Sequence, residues 1–296
     1  MSVLLPFVTL TDVELALVEE AHLRLLGGGR ADPGPTPVEE HARRSLRARG
    51  LLTDDGELAT GTGAETGTEL GSGGPDLAGA VGLALDVRLA ADVVVVAQRV
   101  VGRVVQGRDE DPAPQAGTPT AGRGASGDDV QHLRSARVLH LVAEGACVED
   151  VDEEGLHALS LTTDPVQAAR SVEEALLPPD AVDGRGDPVR AAPAGLDRLA
   201  EALGRPTVLA ELTVVAPGDG ADAGDDGAGT GRSSSTGVLL ALGPGGCWAG
   251  AATPGDDGRF TFHPVPRRWL GDRARLTVDA VMGSGSTDPA EGTMGR

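Results

Sequence analysis

Apolar positions in this chain keep a helical period in some stretches and a strand period in others, with Gly, Asp and Pro clusters between them. Residues 12–26 read as a helix. Thr11-x-x-Glu14 forms a capping box, Leu15, Val18, Ala21 and Leu25 share a face, and Gly27 is the stop. Residues 37–49 read as a second helix. Thr36 caps it, Pro37 takes the first helical position, Glu39 closes the box, and Val38, Ala42 and Leu46 recur every four residues. Gly50 ends it, and Leu51 is expected to fold back onto Leu46.

The middle of the chain reads as strands. Residues 83–89 alternate, and 93–105 are rich in Val, whose branching at Cβ suits a pleated sheet. Residues 137–143, 146–151 and 156–161 are short apolar segments separated by turn residues, which predicts an antiparallel meander. A third helix starts at Asp164-Pro165, with Gln167 repeating the capping logic. It runs through Val166, Ala169, Val172 and Leu176 to the stop at Pro178-Pro179.

The second half is a reduced echo. Leu196, Leu199 and Leu203 mark a short helix ending at Gly204, and 207–215 reads as a strand. Residues 237–242 and 247–252 flank a Gly243–Gly246 turn, 259–263 alternate, and 275–282 fit a strand or a helix equally. Helices followed by runs of strands predict an α+β fold, an antiparallel sheet with packed helices. The expected division is an α+β half over 1–182 with a flexible insert at 107–128, a second over 183–282 with a flexible loop at 216–236, and a disordered tail at 283–296.

Composition narrows the chemistry. The chain contains no Lys, Ile, Asn or Tyr, so every cationic side chain but histidine is an arginine. Lysine-dependent Schiff-base, P-loop and kinase chemistry is thereby excluded. The missing residue types use AT-rich codons, which points to a very GC-rich genome such as an actinobacterial one. A net charge of −20 repels polyanions, so neither nucleic acid nor an anionic membrane is an expected partner. Two distant cysteines, Cys147 and Cys247, form neither a disulfide framework nor a zinc motif, which suits a reducing cytoplasm. No apolar run approaches the ~18 residues of a membrane helix.

Each candidate for chemistry has a plainer reading. His140 and His157 lie on neighbouring predicted strands, where they are either a shared metal site or surface histidines. Asp219, Asp222, Asp225 and Asp226 lack the alternating spacing of a calcium loop and read as a solvated linker. Gly227, Gly229 and Gly231 lack the flanking strand and helix of a dinucleotide site, and Ser233–Ser235 sit in no nucleophile elbow. Arg43, Arg44, Arg47 and Arg49 form a basic patch on the second helix. With the turn that follows, 37–58 fit a winged-helix DNA-binding regulator, although only two helices precede the wing and acidic residues surround them. The preferred reading leaves those arginines solvated. An enzyme is the third reading, with no acid, base, nucleophile or ligand constellation to carry it.

The order of four segments resembles the EspG family of type VII (ESX) secretion-associated proteins. They are LTDVELALVEEAHLRLLG, TPVEEHARRSLRARGLLTDDGEL, GLHALSLTTDPVQAARSVEEALLPPDA and GVLLALGPGGCWAGAATPGDDGRFTFHPV. The simple loops and the Ala/Gly-rich late hairpin mark a diverged relative. The resemblance implies a cytosolic, non-catalytic chaperone of two pseudo-symmetric halves that needs no metal or cofactor. Its partner would be a helical secreted protein, PE/PPE-like or WxG-type. A partner-binding patch is then expected around the late hairpin at Val238, Leu240, Trp248 and Phe260. Trp248 would be its anchor, unless it is an ordinary core residue.

Overall fold

The computed structural model describes residues 4–28, 35–59, 77–104, 130–191, 196–216, 234–252 and 260–283. In chain order they form β1 (Val8–Thr11), α1 (Asp12–Leu25), α2 (Pro37–Ala48), α3 (Leu77–Leu89), β2 (Val93–Val104), β3 (Val130–Val142), β4 (Gly145–Val151), β5 (Leu156–Thr162) and α4 (Pro165–Leu176). There follow β6 (Val189–Ala191), α5 (Leu196–Ala202), β7 (Val208–Ala216), β8 (Ser234–Gly243), β9 (Gly246–Ala252), β10 (Phe260–Val265) and α6 (Trp269–Met282). The fold is α+β.

All ten strands join one sheet in the order β1-β5-β4-β3-β2-β7-β8-β9-β10-β6, with every pairing antiparallel. The order reads as two five-stranded runs, each the reflection of the other, meeting where β2 pairs with β7 from Val94↔Val215 to Val101↔Val208.

Local signals in the sequence explain most elements. Both expected capping boxes form: Thr11 with Glu14, and Thr36 with Glu39. At the end of α2, Gly50 takes φ +69°. Its N–H donates to the carbonyl of Arg47, and that of Leu51 to the carbonyl of Leu46, both at 2.9 Å. This is the Schellman arrangement, and Leu46 and Leu51 are both fully buried beside it. The cap of α4 differs from expectation. Asp164 caps Val166, but Gln167 accepts from the Thr162 hydroxyl instead of closing a box.

Several expectations are corrected. Residues 83–89 are helical, the last turns of α3. Buried Ala78, Val81, Ala84 and Leu85 keep a helical spacing, which alanines hide in a window as short as LALDVRL. Residues 275–282 are helical too, with Ala274, Val278 and Met282 buried every four residues. Leu25, Val38 and Val166 are exposed, and Leu17 and His22 are buried in α1 instead. The short strands β1 and β6 are additions to the sequence reading. β7 runs to Ala216 and β8 begins at Ser234, inside the interval assigned to a loop.

Strand alternation sends side chains to two unlike sides. On one, α4 and α6 pack together across the middle of the sheet over one continuous core that includes Val95, Leu139, Val148, Leu212 and Leu240. The last turn of α4 has no basic residue of its own. The sheet supplies the cations: Arg99 donates to the Ala175 carbonyl at 2.9 Å, and Arg137 to that of Ser171 at 2.6 Å while gripping Asp150. The Arg99 guanidinium at the end of the helix opposes its partial negative charge and satisfies a carbonyl that lacks a helical partner, while Arg137 adds a second bond to a carbonyl of the helix middle.

On the other side the helices stay apart. α1, α2 and α3 cover the β1 edge with a core of Leu10, Val18, Leu46, Leu85 and Leu159. At the β6 edge a smaller core holds Leu203, Ala241, Trp248 and Phe262, with Leu199 of α5 against it.

Replacing Gly50 by Ala forces a side chain into a left-handed conformation and should lower unfolding free energy by about 1 kcal/mol. Chemical denaturation of Gly50→Ala against wild type measures it. An unchanged midpoint would contradict the cap described.

Candidate partner-binding surface

Between these two flanking cores the sheet carries no helix among the described residues. The helices on this side pack against β1, β3, β4, β5 and β6. Among the described residues α3 reaches β3 but no helix on this side packs closely on β2, β7 or β8, and the outward residues of β3-β2-β7-β8 stand in cross-strand rows. One row is Ala136, Gln98, Glu211 and Leu239; the next is Val138, Val96, Thr213 and Gly237. Val94 beside Val215 and Val100 beside Leu209 flank these rows. Val94, Val96, Val100, Val138, Val215 and Leu239 are half-buried, Leu209 is 48% exposed, and Gln98 and Glu211 are exposed.

The result is an apolar trough with a polar line across it. Strands ~4.8 Å apart make a floor of about 14 Å for four strands, and a helix with its side chains is about 10–12 Å across. The trough is wide enough for one helix against the sheet. The signal in the sequence was the run Val93–Val96, apolar on both faces, where a strand covered on one side only would alternate.

The four residues singled out on the late hairpin do not form one surface. Val238 and Leu240 point toward α4 and α6, and Leu240 is 1% exposed in that core. Trp248 and Phe260 point the opposite way, into the α5 core, where Trp248 is 5% exposed. Leu239, between Val238 and Leu240, is the hairpin residue that reaches the trough.

Two of the four arginines, Arg47 and Arg49, are tied to the protein, contrary to the expectation of solvated side chains. Arg47 donates to the carbonyls of Thr53 and Asp54 at 3.2 and 2.8 Å, tying the helix to the turn that follows. Arg49 donates to the Thr9 carbonyl at 2.9 Å and pairs with Glu14 at 2.7 Å. These contacts take up the side chains that a recognition helix would offer to phosphates.

His140 and His157 do converge, but on a carboxylate. β4 lies between their strands and projects Glu149 toward α1 and α3. His157 Nδ1 meets Glu149 Oε1 at 2.5 Å, and His140 Nε2 meets Oε2 at 3.2 Å. Arg88 of α3 grips the same Oε2 and also Glu19 of α1, the latter at 2.7 Å. His157 Nε2 meets Asp12 of α1 at 2.6 Å. Burial works against the charge on Glu149, but the bonds to His140, Arg88 and His157 and the Arg88 charge outweigh it, holding the carboxyl at about 2. Burial likewise works against His157⁺, and its two carboxylate partners raise its pKa above the usual histidine value. Neighbouring Cys147 is fully buried; burial, with the Glu149 charge added, pushes its thiol up to about 12 against the pull of Arg88. It stays a thiol at neutral pH and cannot serve as a nucleophile. Among the described residues no group of three His, Cys, Asp or Glu is placed to hold a metal ion.

The Asp219–Asp226 and Gly227–Gly231 candidates lie outside the described residues, as does Ser233, while Ser234 and Ser235 open β8. No described helix is long and apolar enough to cross a membrane.

No family model matches this sequence, and no curated protein matches it. Among solved structures it is similar to the Mycobacterium tuberculosis type VII secretion system chaperone EspG5 in complex with a PE25–PPE41 dimer. The identity is 12% and the TM-score 0.48, covering 93% of this chain and 96% of that one.

Glu149→Gln should cost about 3 kcal/mol, because it removes the buried carboxylate that Arg88, His140 and His157 share and leaves Arg88 with Glu19 as its one remaining carboxylate here. In wild type the Glu149 contribution is present above pH ~4.5 and is lost as pH falls toward its folded value of about 2. Denaturation at pH 5.5 and 3 tests both statements. A variant as stable as wild type at pH 5.5, with the same acid limb, contradicts them.

Proposed function

We propose that this chain is a non-enzymatic adaptor that holds a helical client of the type VII secretion kind, PE/PPE-like or WxG-type, in the cytoplasm before export. The observation that carries the reading is the open apolar trough across β3-β2-β7-β8. A sheet face of valines with no helix on it among the described residues leaves apolar surface in water, and burying that surface favours association. An amphipathic helix is the occupant whose width and surface fit it. The ordered resemblance of four sequence segments to the EspG family supports the same reading and supplies the kind of client. The two halves, divided near residue 182, flank the site as walls.

Co-expression with helical secreted proteins encoded beside this gene, followed by pull-down, tests the proposal. Wild type should co-purify with one of them in a soluble complex. Val96→Arg with Val138→Arg, which places two charges in the trough, should weaken binding at least ~30-fold, the equivalent of about 2 kcal/mol. No soluble complex with any neighbour contradicts the client. A complex that the double variant binds equally well contradicts the trough.

A further inference from the structure

His157 stands between two carboxylates, and both of its ring nitrogens are engaged. Nδ1 faces Glu149 at 2.5 Å and Nε2 faces Asp12 at 2.6 Å. Neutral imidazole has a single N–H. With both nitrogens against carboxylate oxygens, both must carry a proton; remove one, and a lone pair faces a negative oxygen.

The two partners differ in what they can do next. The Glu149 side chain is 5% exposed and is also held by Arg88 and His140. The Asp12 side chain is 76% exposed and can turn into water. It sits over the turn before β5, where a Cβ on Gly155 would come within 2.7 Å of its carboxylate. Asp12 is also the first residue of α1, directly after the cap Thr11.

We propose that Asp12–His157–Glu149 is a protonation latch that fastens the start of α1 to the sheet. With His157 doubly protonated the latch is closed. When pH rises and Nε2 gives its proton to water, the Asp12 arm opens first, and α1 loosens at its N-terminal end. Glu149 stays behind, neutralised by Arg88.

Among the surrounding charges, α1 contributes Asp12, Glu19 and His22, α3 contributes Asp86 and Arg88, β3 His140, and β4 Glu149 and Cys147. β1, which pairs with β5 beside His157, brings only Val, Thr and Leu. Glu14 is occupied by Arg49 of the α2 cap. His22 pairs with Asp86 at 2.8 Å through Nε2 alone, and its Nδ1 makes no hydrogen bond among the described residues. This inference stands whatever occupies the trough.

Hydrogen exchange on the full chain between about pH 5.5 and 9, corrected for intrinsic rates, tests it. Stability from a histidine whose folded pKa is raised is complete below its unfolded value and lost as pH rises through the folded one. Protection in the first turns of α1 should therefore fall about tenfold or more as His157 deprotonates, while β4 and α4 hold. Asp12→Asn, at an exposed side chain, should abolish that step or move it to lower pH, and His22→Gln should keep it. Nitrogen NMR of the imidazole should show both ring nitrogens protonated near pH 6. Flat α1 protection across the range, an unchanged step in Asp12→Asn, or a neutral His157 ring at pH 6 each overturns the latch.

Discussion

The pairing of β2 with β7 is the constraint on which the rest of this molecule depends. It makes one ten-stranded sheet out of two five-stranded runs, and it sets the valine-rich strands at the centre. Because the runs reflect each other, the helix after each comes to the same side, and α4 and α6 meet over the seam. The helices that precede β2 and β7 come to the other side but stay at its two ends. Among the described residues one side of the seam is thus doubly covered and the other uncovered. The trough is a consequence of the topology and needs no special local sequence to make it.

The two runs then solve the same packing problem with different chemistry. β9 and β10 stand in the second run where β4 and β5 stand in the first. Glu149 lies opposite Leu159 and Val138; its counterpart Gly250 lies opposite Phe262 and Leu239. A Cβ at Gly250 would come within 2.7 Å of the Phe262 ring, so the glycine makes room for an aromatic ring. One flank is closed by Trp248, Phe260 and Phe262, the other by Glu149, Arg88, His157 and Asp12. An aromatic core is held by burial alone and is indifferent to pH. A buried charge cluster gives less net stability for its volume, but it fixes the placement of α1 and α3 and responds to protons. The same sheet carries one permanent wall and one that titrates.

How far the sequence could be read follows from how local each determinant is. The caps at Thr11 and Thr36, the glycine stop at Gly50, the β4–β5 meander and the hairpin at Gly243–Gly246 rest on residues within one turn of each other, and all form. Leu77–Leu89 is apolar over most of its surface, so neither period stands out, and a window of seven residues favoured the wrong one. β1 and β6 exist only through long-range partners, Leu159 and Phe262 among them. The trough was legible only as a strand apolar on both faces at Val93–Val96: Val94, Val96 and Val138 look like core residues, and what leaves them uncovered is where distant helices land. The Trp on the hairpin was noticed for its size, yet alternation turns it into the α5 core. The charge cluster was half visible, as two histidines on one meander, but Glu149 between them and Arg88 on a misassigned helix were not.

Side-chain footprinting of the central sheet, with and without a co-purified helical client, tests the central claim most directly. With the trough as the binding face, Val94, Val96, Val138 and Leu209 are protected from radical labelling when the client is bound, while the outer surfaces of α4 and α6 label as before. Protection confined to α4 and α6, with the trough valines labelled equally in both states, would contradict it.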